Sequence, residues 1–269
     1  MNLNLRELTA EYQKDGLSRT MASARVCQDI VLKAIADSPL YRNVTIKGGV
    51  VMCSITNNSR RATRDIDIDF IHYSLNDDSI RSFVKNLNII PGISLGIDGE
   101  IEELKHQDYH GKEIHIKVTD ESGYSIIGKM DIGVHNHFDL EQDEYIFDVC
   151  MSDDGVSLLK NTAEQSFAEK LRSLLKFGSN SRRYKDIYDM YYLKDILNIG
   201  RLNSAMNILV FSDPGMKENN YEDVLMRVMQ TFENKNFLSE VSKSWQRWLD
   251  DDIQDIADDL ITFLSGRIQ

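Results

Sequence analysis

Asp65-Ile66-Asp67-Ile68-Asp69-Phe70-Ile71 is the stretch on which the reading of this chain turns. Charged and apolar residues alternate with a period of two, the mark of a β-strand whose successive side chains point to opposite faces. Ile66, Ile68 and Phe70 then pack inward. Asp65, Asp67 and Asp69 share the other face, with about 6.6 Å between successive carboxylates. Three like charges in a row repel, so that face is either solvated or neutralised by a cation, and the strand alone is compatible with both. Two aspartates angled toward one point match the oxygen-ligand preference of Mg²⁺, which takes one or two carboxylates plus substrate phosphates and water.

Working outward, Val44-Thr45-Ile46 predicts a short strand stopped by Gly48-Gly49, with a helix over Val50 to Ile55. Glycines between a strand and a helix permit close backbone approach, and N–H groups at a helix start favour phosphate; taken alone, a double glycine is more often a plain turn. Upstream, Val26, Ile30, Val31, Ala34 and Ile35 recur at helical spacing from Thr20 to Asp37, and Ser38-Pro39 ends the run. A polar, basic loop covers Asn57 to Arg61, and Asp78 to Leu87 is helix-like. Strands then follow from about Ile93 to Val149. One of them, Lys129-Met130-Asp131-Ile132-Gly133, sets a carboxylate among apolar residues. Alone, Asp131 reads as an edge or turn device. Beside Asp65 and Asp67 on a neighbouring strand, it would complete the carboxylate layout that two-metal phosphoryl or nucleotidyl transfer requires.

From Thr162 the pattern is helical almost without interruption. Strands first and helices after describe an α+β domain over 1–155 followed by a helical bundle over 156–269. Residues 161–185 carry six basic side chains (Lys170, Arg172, Lys176, Arg182, Arg183, Lys185) against two acidic ones. That local excess suits a triphosphate or an RNA end, or is simply a solvated helix face. Tyr184, Tyr188, Tyr191 and Tyr192 fit helix packing better than base stacking. Trp245 and Trp248, three apart, are expected in the bundle core. Six aspartates between Asp250 and Asp259 are expected to solvate one face of the last helix, opposite Ile253, Ile256 and Leu260. His135-Asn136-His137 has no cysteine or metal framework around it and reads as a strand or turn beyond Asp131.

A hydrophobic content of 42% with only 3 Pro in 269 residues excludes a disordered or collagen-like chain. No apolar run approaches the roughly 18 residues of a membrane span. The opening Met1-Asn2-Leu3-Asn4-Leu5-Arg6-Glu7 mixes charge into what a signal peptide keeps apolar. Three scattered cysteines imply neither a disulfide framework nor a zinc site. The expectation is a soluble, cytoplasmic protein without membrane association. A net charge of −12 argues against broad, charge-driven nucleic-acid binding. It leaves room for a local basic patch, or for carboxylates neutralised by divalent metal.

Taken in order, Lys47-Gly48-Gly49, then Arg61-Ala62-Thr63-Arg64-Asp65-Ile66-Asp67, then Lys129-Met130-Asp131-Ile132 resemble the nucleotidyltransferases of the AbiEii/AbiGii toxin family, a branch of the DNA polymerase β-like superfamily. Ala168-Glu169-Lys170-Leu171 and Arg183-Tyr184-Lys185-Asp186-Ile187-Tyr188-Asp189 resemble its later helical motif, so the likeness spans residues 47 to 189. It implies a polymerase-β-like α+β domain with a mixed sheet, and a C-terminal helical bundle that contributes Lys170 and Asp186 to the site. Gly48 and Gly49 would cradle the triphosphate, and Asp65 and Asp67 would bind the metals. Asp131 would be a third ligand or the general base. Lys170 and Arg183 would contact the nucleotide, and Asp186 would complete the site. Where the wider superfamily has Gly-Ser, this chain has Gly49-Val50, so that serine hydroxyl is missing. Arg61 and Thr63 stand where the family's Arg-x-Thr precedes its aspartate pair, which makes Asp69 the third and outer one.

The resemblance further implies transfer of NMP from an NTP to an acceptor, with Mg²⁺ in a two-metal site and a tRNA or other RNA 3′ end as acceptor. It also implies a toxin role in a toxin–antitoxin or abortive-infection (phage-defence) pair, with a cognate antitoxin as partner. The alternatives are nucleotidylation of a small molecule or protein, and a catalytically inactive nucleotide-binding module.

Overall fold

The computed structural model describes residues 3–104 and 111–268. Packing divides the chain into two units, with the boundary between Asn161 and Thr162. The first unit opens with two helices, α1 (Leu5–Lys14) and α2 (Arg19–Asp37). Each is started by a polar side chain: Asn4 accepts from the N–H groups of Arg6 and Glu7, and Ser18 from that of Met21. Such caps satisfy donors that the first helical turn leaves without partners. Then come β1 (Val44–Lys47), α3 (Gly48–Thr56), β2 (Asp65–Phe70), α4 (Asp77–Asn86), β3 (Ile93–Ile97), β4 (Glu102–Glu103), β5 (Lys112–Asp120), β6 (Ser125–Val134), β7 (Asp143–Val149) and β8 (Ser152–Lys160).

Among the described residues these strands form one sheet in the order β3-β5-β6-β2-β1-β8-β7, with β4 paired to β5. The sheet is mixed, since β2–β6 and β1–β8 are parallel and the other pairs antiparallel. Ile66, Ile68 and Phe70 are fully buried, together with Ile114, Ile116 and Val118 of β5 and Met130 and Ile132 of β6. They form one core with Val26, Ile30 and Val31 of α2 and with Ile80 and Phe83 of α4. Each such side chain contributes about 1.5–3 kcal/mol by leaving water. A slip of β2 by one residue would turn its three aspartates into that core, so the register of the central strand is strongly specified.

β8 is a difference from the sequence reading, which ended the strands near Val149. The Asp153-Asp154-Gly155 start of β8 looks like a turn, yet Val156, Leu158 and Lys160 are buried in strict alternation behind it. β8 pairs with both β7 and β1 and carries the first unit to Asn161.

The second unit is helical: α5 (Ala163–Phe177), α6 (Tyr184–Leu193), α7 (Ile199–Met206), α8 (Tyr221–Phe232), α9 (Lys235–Lys243) and α10 (Ile253–Ser265). Thr162 caps α5 by accepting from the Gln165 N–H. Phe167, Leu171, Leu174 and Leu175 are buried on α5, which packs on α6, α7 and α8. In α10, Ile253, Ile256 and Leu260 are buried while Asp255, Asp258 and Asp259 are exposed, as the charge pattern indicates. The tryptophans part company. Trp248 is buried, but Trp245 is 82% exposed and does not belong to the core. Both lie in the loop after α9, where helical three-residue spacing no longer places them on one face.

The architecture is therefore α+β, a mixed sheet with helices, followed by a helical unit. Among the described residues no helix is long and apolar enough to cross a membrane.

A carboxylate-lined candidate active site

Strand pairing draws a row of charge across the sheet. Lys47 on β1 stands opposite Asp67 on β2, Asp67 beside Asp131 on β6, and Asp131 opposite Glu113 on β5. Adjacent strands lie about 4.8 Å apart, so the residues of the row are cross-strand neighbours. One pair along β2 toward its start, Asp65 lies beside Lys129, which faces His115. One pair the other way, Asp69 lies between Thr45 and Gly133.

The protein itself supplies part of the neutralisation that such a face needs. The Lys129 ammonium lies 3.1 Å from Glu113 Oε2 and 3.3 Å from Asp131 Oδ1. Burial lowers its pKa, but Glu113, Asp131 and Asp65 outweigh that and hold it at about 12. Even so, burial pushes Asp131 up to about 6; Lys129 pulls it down and Asp67 pushes it up again. Asp65 is raised too, first by burial and further by Asp67 and Glu113, against the pull of Lys129. Asp131 Oδ1 is buried, and it meets the Lys129 ammonium without accepting a hydrogen bond.

Asp67 is placed by the glycines. Its Oδ2 accepts from the Gly49 N–H at 3.3 Å, so the carboxylate sits at the start of α3, where the helix dipole favours negative charge. Gly48 has φ +62°, and a Cβ there would lie 2.2 Å from Asp67 Oδ2. Both the backbone and the space exclude a larger residue. Asp69 has a different fate. It forms a buried ion pair with Lys47, and a Cβ at Gly133 would lie 2.2 Å from its Oδ1. Its charge is matched inside the protein, which sets it apart from Asp65 and Asp67.

Whether these residues suit a divalent cation is decided by their chemistry. Among the described residues no group of three or more His, Cys, Asp or Glu side chains is gathered to hold a metal by itself. The Lys129 ammonium stands between Glu113 and Asp131. What the sheet does bring together is a pair, Asp67 and Asp131 in register, with Asp65 next along. They offer hard carboxylate oxygens, one of them buried without a hydrogen bond. A Mg²⁺-type ion needs one or two carboxylates and fills its remaining positions with water and phosphate, so the donor set fits it.

In the helical unit α5 and α6 bring Lys170, Arg183 and Asp186 together. Lys170 Nζ is 3.2 Å from Asp186 Oδ1 and 2.9 Å from Asp189 Oδ2, and Arg183 Nε is 3.2 Å from Asp186 Oδ2. Asp189, fully buried, also accepts from Trp248 Nε1 at 3.0 Å. The sequence reading assigned no role to Asp189, although its spacing of three from Asp186 puts both on one helix face. Glu113 and Lys129 were likewise given no role. Their signal was the period-two alternation of two strands whose pairing the sequence does not state.

The profile described as Nucleotidyl transferase AbiEii toxin, Type IV TA system, matches residues 30–263 of this chain. The chain belongs to the AbiEii nucleotidyltransferase toxin family. The match takes in both the sheet carboxylates and the Lys170 cluster. No curated protein matches the chain. Among solved structures, an antigenic nucleotidyltransferase-like protein from Paracoccidioides brasiliensis is similar at 13% identity and a TM-score of 0.40, over 81% of this chain and 91% of that one. That likeness is too loose to carry weight beside the AbiEii match.

Proposed function

We propose that this AbiEii-family chain transfers NMP from an NTP to a hydroxyl at the 3′ end of an RNA, a tRNA for instance. In this reading it acts as the toxin of a toxin–antitoxin or phage-defence pair and is neutralised by a cognate antitoxin. The observation that carries the reading is the in-register Asp67–Asp131 pair beside the glycine-started helix α3. Asp65, Asp67 and Asp131 would hold Mg²⁺, which when bound supplies charge neutralisation for the triphosphate. Asp131, raised by burial to about 6 when no metal is bound, would be either a Mg²⁺ ligand or the base that accepts the proton of the attacking hydroxyl. The acceptor oxygen then bonds to the α-phosphorus as the bond to pyrophosphate breaks. Gly48, lacking a Cβ, lets the Asp67 carboxylate lie against the first turn of α3, and Gly48 and Gly49 would bring backbone close to the triphosphate. Lys170 and Arg183 are assigned to nucleotide phosphates, and Asp186 to orienting Lys170.

The test is purified protein with Mg²⁺, each labelled NTP in turn, and total RNA. Label is expected in RNA, and Asp67→Ala is expected to lower transfer by at least about a hundredfold, since charge stabilisation at such a site is worth several kcal/mol. Wild-type transfer by Asp67→Ala would remove the proposed metal role. A small molecule or protein as acceptor is the second reading, favoured by the net charge of −12, and label in those fractions alone would select it. An inactive nucleotide-binding module would show a raised melting temperature with NTP but no label transfer.

A further inference from the structure

The loop between α9 and α10 displays an indole that it could have buried. Trp245 is 82% exposed, while Trp248, three residues on, is in the core. The loop is not loosely held. Ser244 Oγ accepts from the Gln246 N–H, and the Arg247 guanidinium donates to the carbonyls of Leu249 and Asp250. Gln246 ties it to the start of α6, its Oε1 accepting from the Lys185 N–H at 3.3 Å and its Nε2 donating to the Arg182 carbonyl at 3.5 Å. Trp245 is therefore fixed beside a cluster of cations. The Lys185 ammonium lies 5.5 Å from the ring centroid, and Arg182 and Arg183 are exposed next to it in sequence. Of the nearby acids, Asp186 pairs with Lys170 and Arg183, while Glu240 and Asp251 accept from the neutral hydroxyls of Tyr184 and Tyr191 and keep their charge.

We infer that Trp245, with Arg182 and Lys185, is a stacking platform for an unpaired base of single-stranded RNA, and this rests on the RNA-acceptor reading above. An exposed indole face stacks any base, and cations around it take the flanking phosphates. A bare polyanion would use the cations without the ring. A protein partner would use the ring, but Arg182 and Lys185 within four positions of each other, in a chain of net charge −12, favour a phosphate backbone. Duplex ends aside, paired bases present no free face, which selects single strands.

Trp245 is one of two tryptophans and the exposed one, so contact quenching of the emission by a stacked base acts on it and not on buried Trp248. The full chain is titrated at low salt with oligoadenylate RNA and, separately, with inorganic polyphosphate of matched charge. RNA is expected to quench the emission. Trp245→Ala is expected to weaken RNA binding roughly 5- to 150-fold, the equivalent of about 1–3 kcal/mol per stacked base, and to leave polyphosphate binding unchanged. Trp245→Phe should restore most of the loss. Because the ring is exposed, both variants should melt at the wild-type temperature, which separates stacking from folding. Absent RNA binding by the wild type, equal RNA binding by Trp245→Ala, or equal quenching by polyphosphate would each overturn the platform. The two readings fail separately. RNA binding through Trp245 without label transfer leaves the platform and removes the acceptor. Transfer to RNA with an unchanged KM in Trp245→Ala leaves the acceptor and removes the platform.

Discussion

Two clusters of aspartate in this chain stand in opposite electrostatic states. On α5 and α6, Asp186 and Asp189 share Lys170, Arg183 adds a second cation, and Trp248 takes the remaining oxygen of Asp189. On the sheet, Asp65, Asp67, Asp131 and Glu113 have Lys129 among them, and Lys47 is drawn off by Asp69. Four carboxylates thus share one ammonium, and Asp65 and Asp131 are raised above their ordinary values, first by burial and then by the neighbouring carboxylates. The helical cluster is complete as folded, whereas the sheet cluster is short of positive charge. A deficit of that kind is what a cation-dependent nucleotide site requires.

Breaking the complete cluster should cost the most in stability. Lys170→Met leaves Asp189 buried without its cation, and the loss on removing one partner of a buried pair is about 3–5 kcal/mol. Urea denaturation should show that drop. An unchanged midpoint would mean that the helical cluster is no more complete than the sheet one.

The sheet cluster should respond in the opposite sense. The folded pKa of Asp131, about 6, lies above the ordinary value of about 3.9. Between those pH values the folded chain binds more protons than the unfolded one, so stability falls as pH rises through about 4 to 6. Asp131→Asn removes its share of that fall, and Asp65, shifted the same way, keeps the rest. Melting temperatures measured from pH 4 to 8 should therefore decline less in the variant, with no loss of stability at neutral pH. An identical pH profile would contradict the assigned strain.

The reach of the sequence follows the same division. Alternation in Asp65–Phe70 gave the central strand, its buried face and its carboxylate face, because period-two burial is a local signal. The glycines also spoke locally, but their purpose is spatial: Gly48 is required by Asp67 of another strand, and Gly133 by Asp69. Pairing of β2 with β6 joins residues more than sixty positions apart, so the Lys129 counter-charge was not legible; the Asp69–Lys47 pair and the part of Glu113 depend on the pairing of β1 with β2 and of β5 with β6, which is not local either. Trp245 misled for a related reason. A helical period was read across a segment where the helix had already ended at Lys243.

The claim at the centre is that the β2 and β6 carboxylates lack a cation and will take one. Titration of the full chain with Mn²⁺, followed by electron paramagnetic resonance in the presence of a non-hydrolysable NTP analogue, tests it most directly. The account predicts saturable binding in the wild type that is lost in the Asp67→Asn/Asp131→Asn double variant and kept in Asp69→Asn. Equal binding by the wild type and the double variant, or none by the wild type, would contradict it.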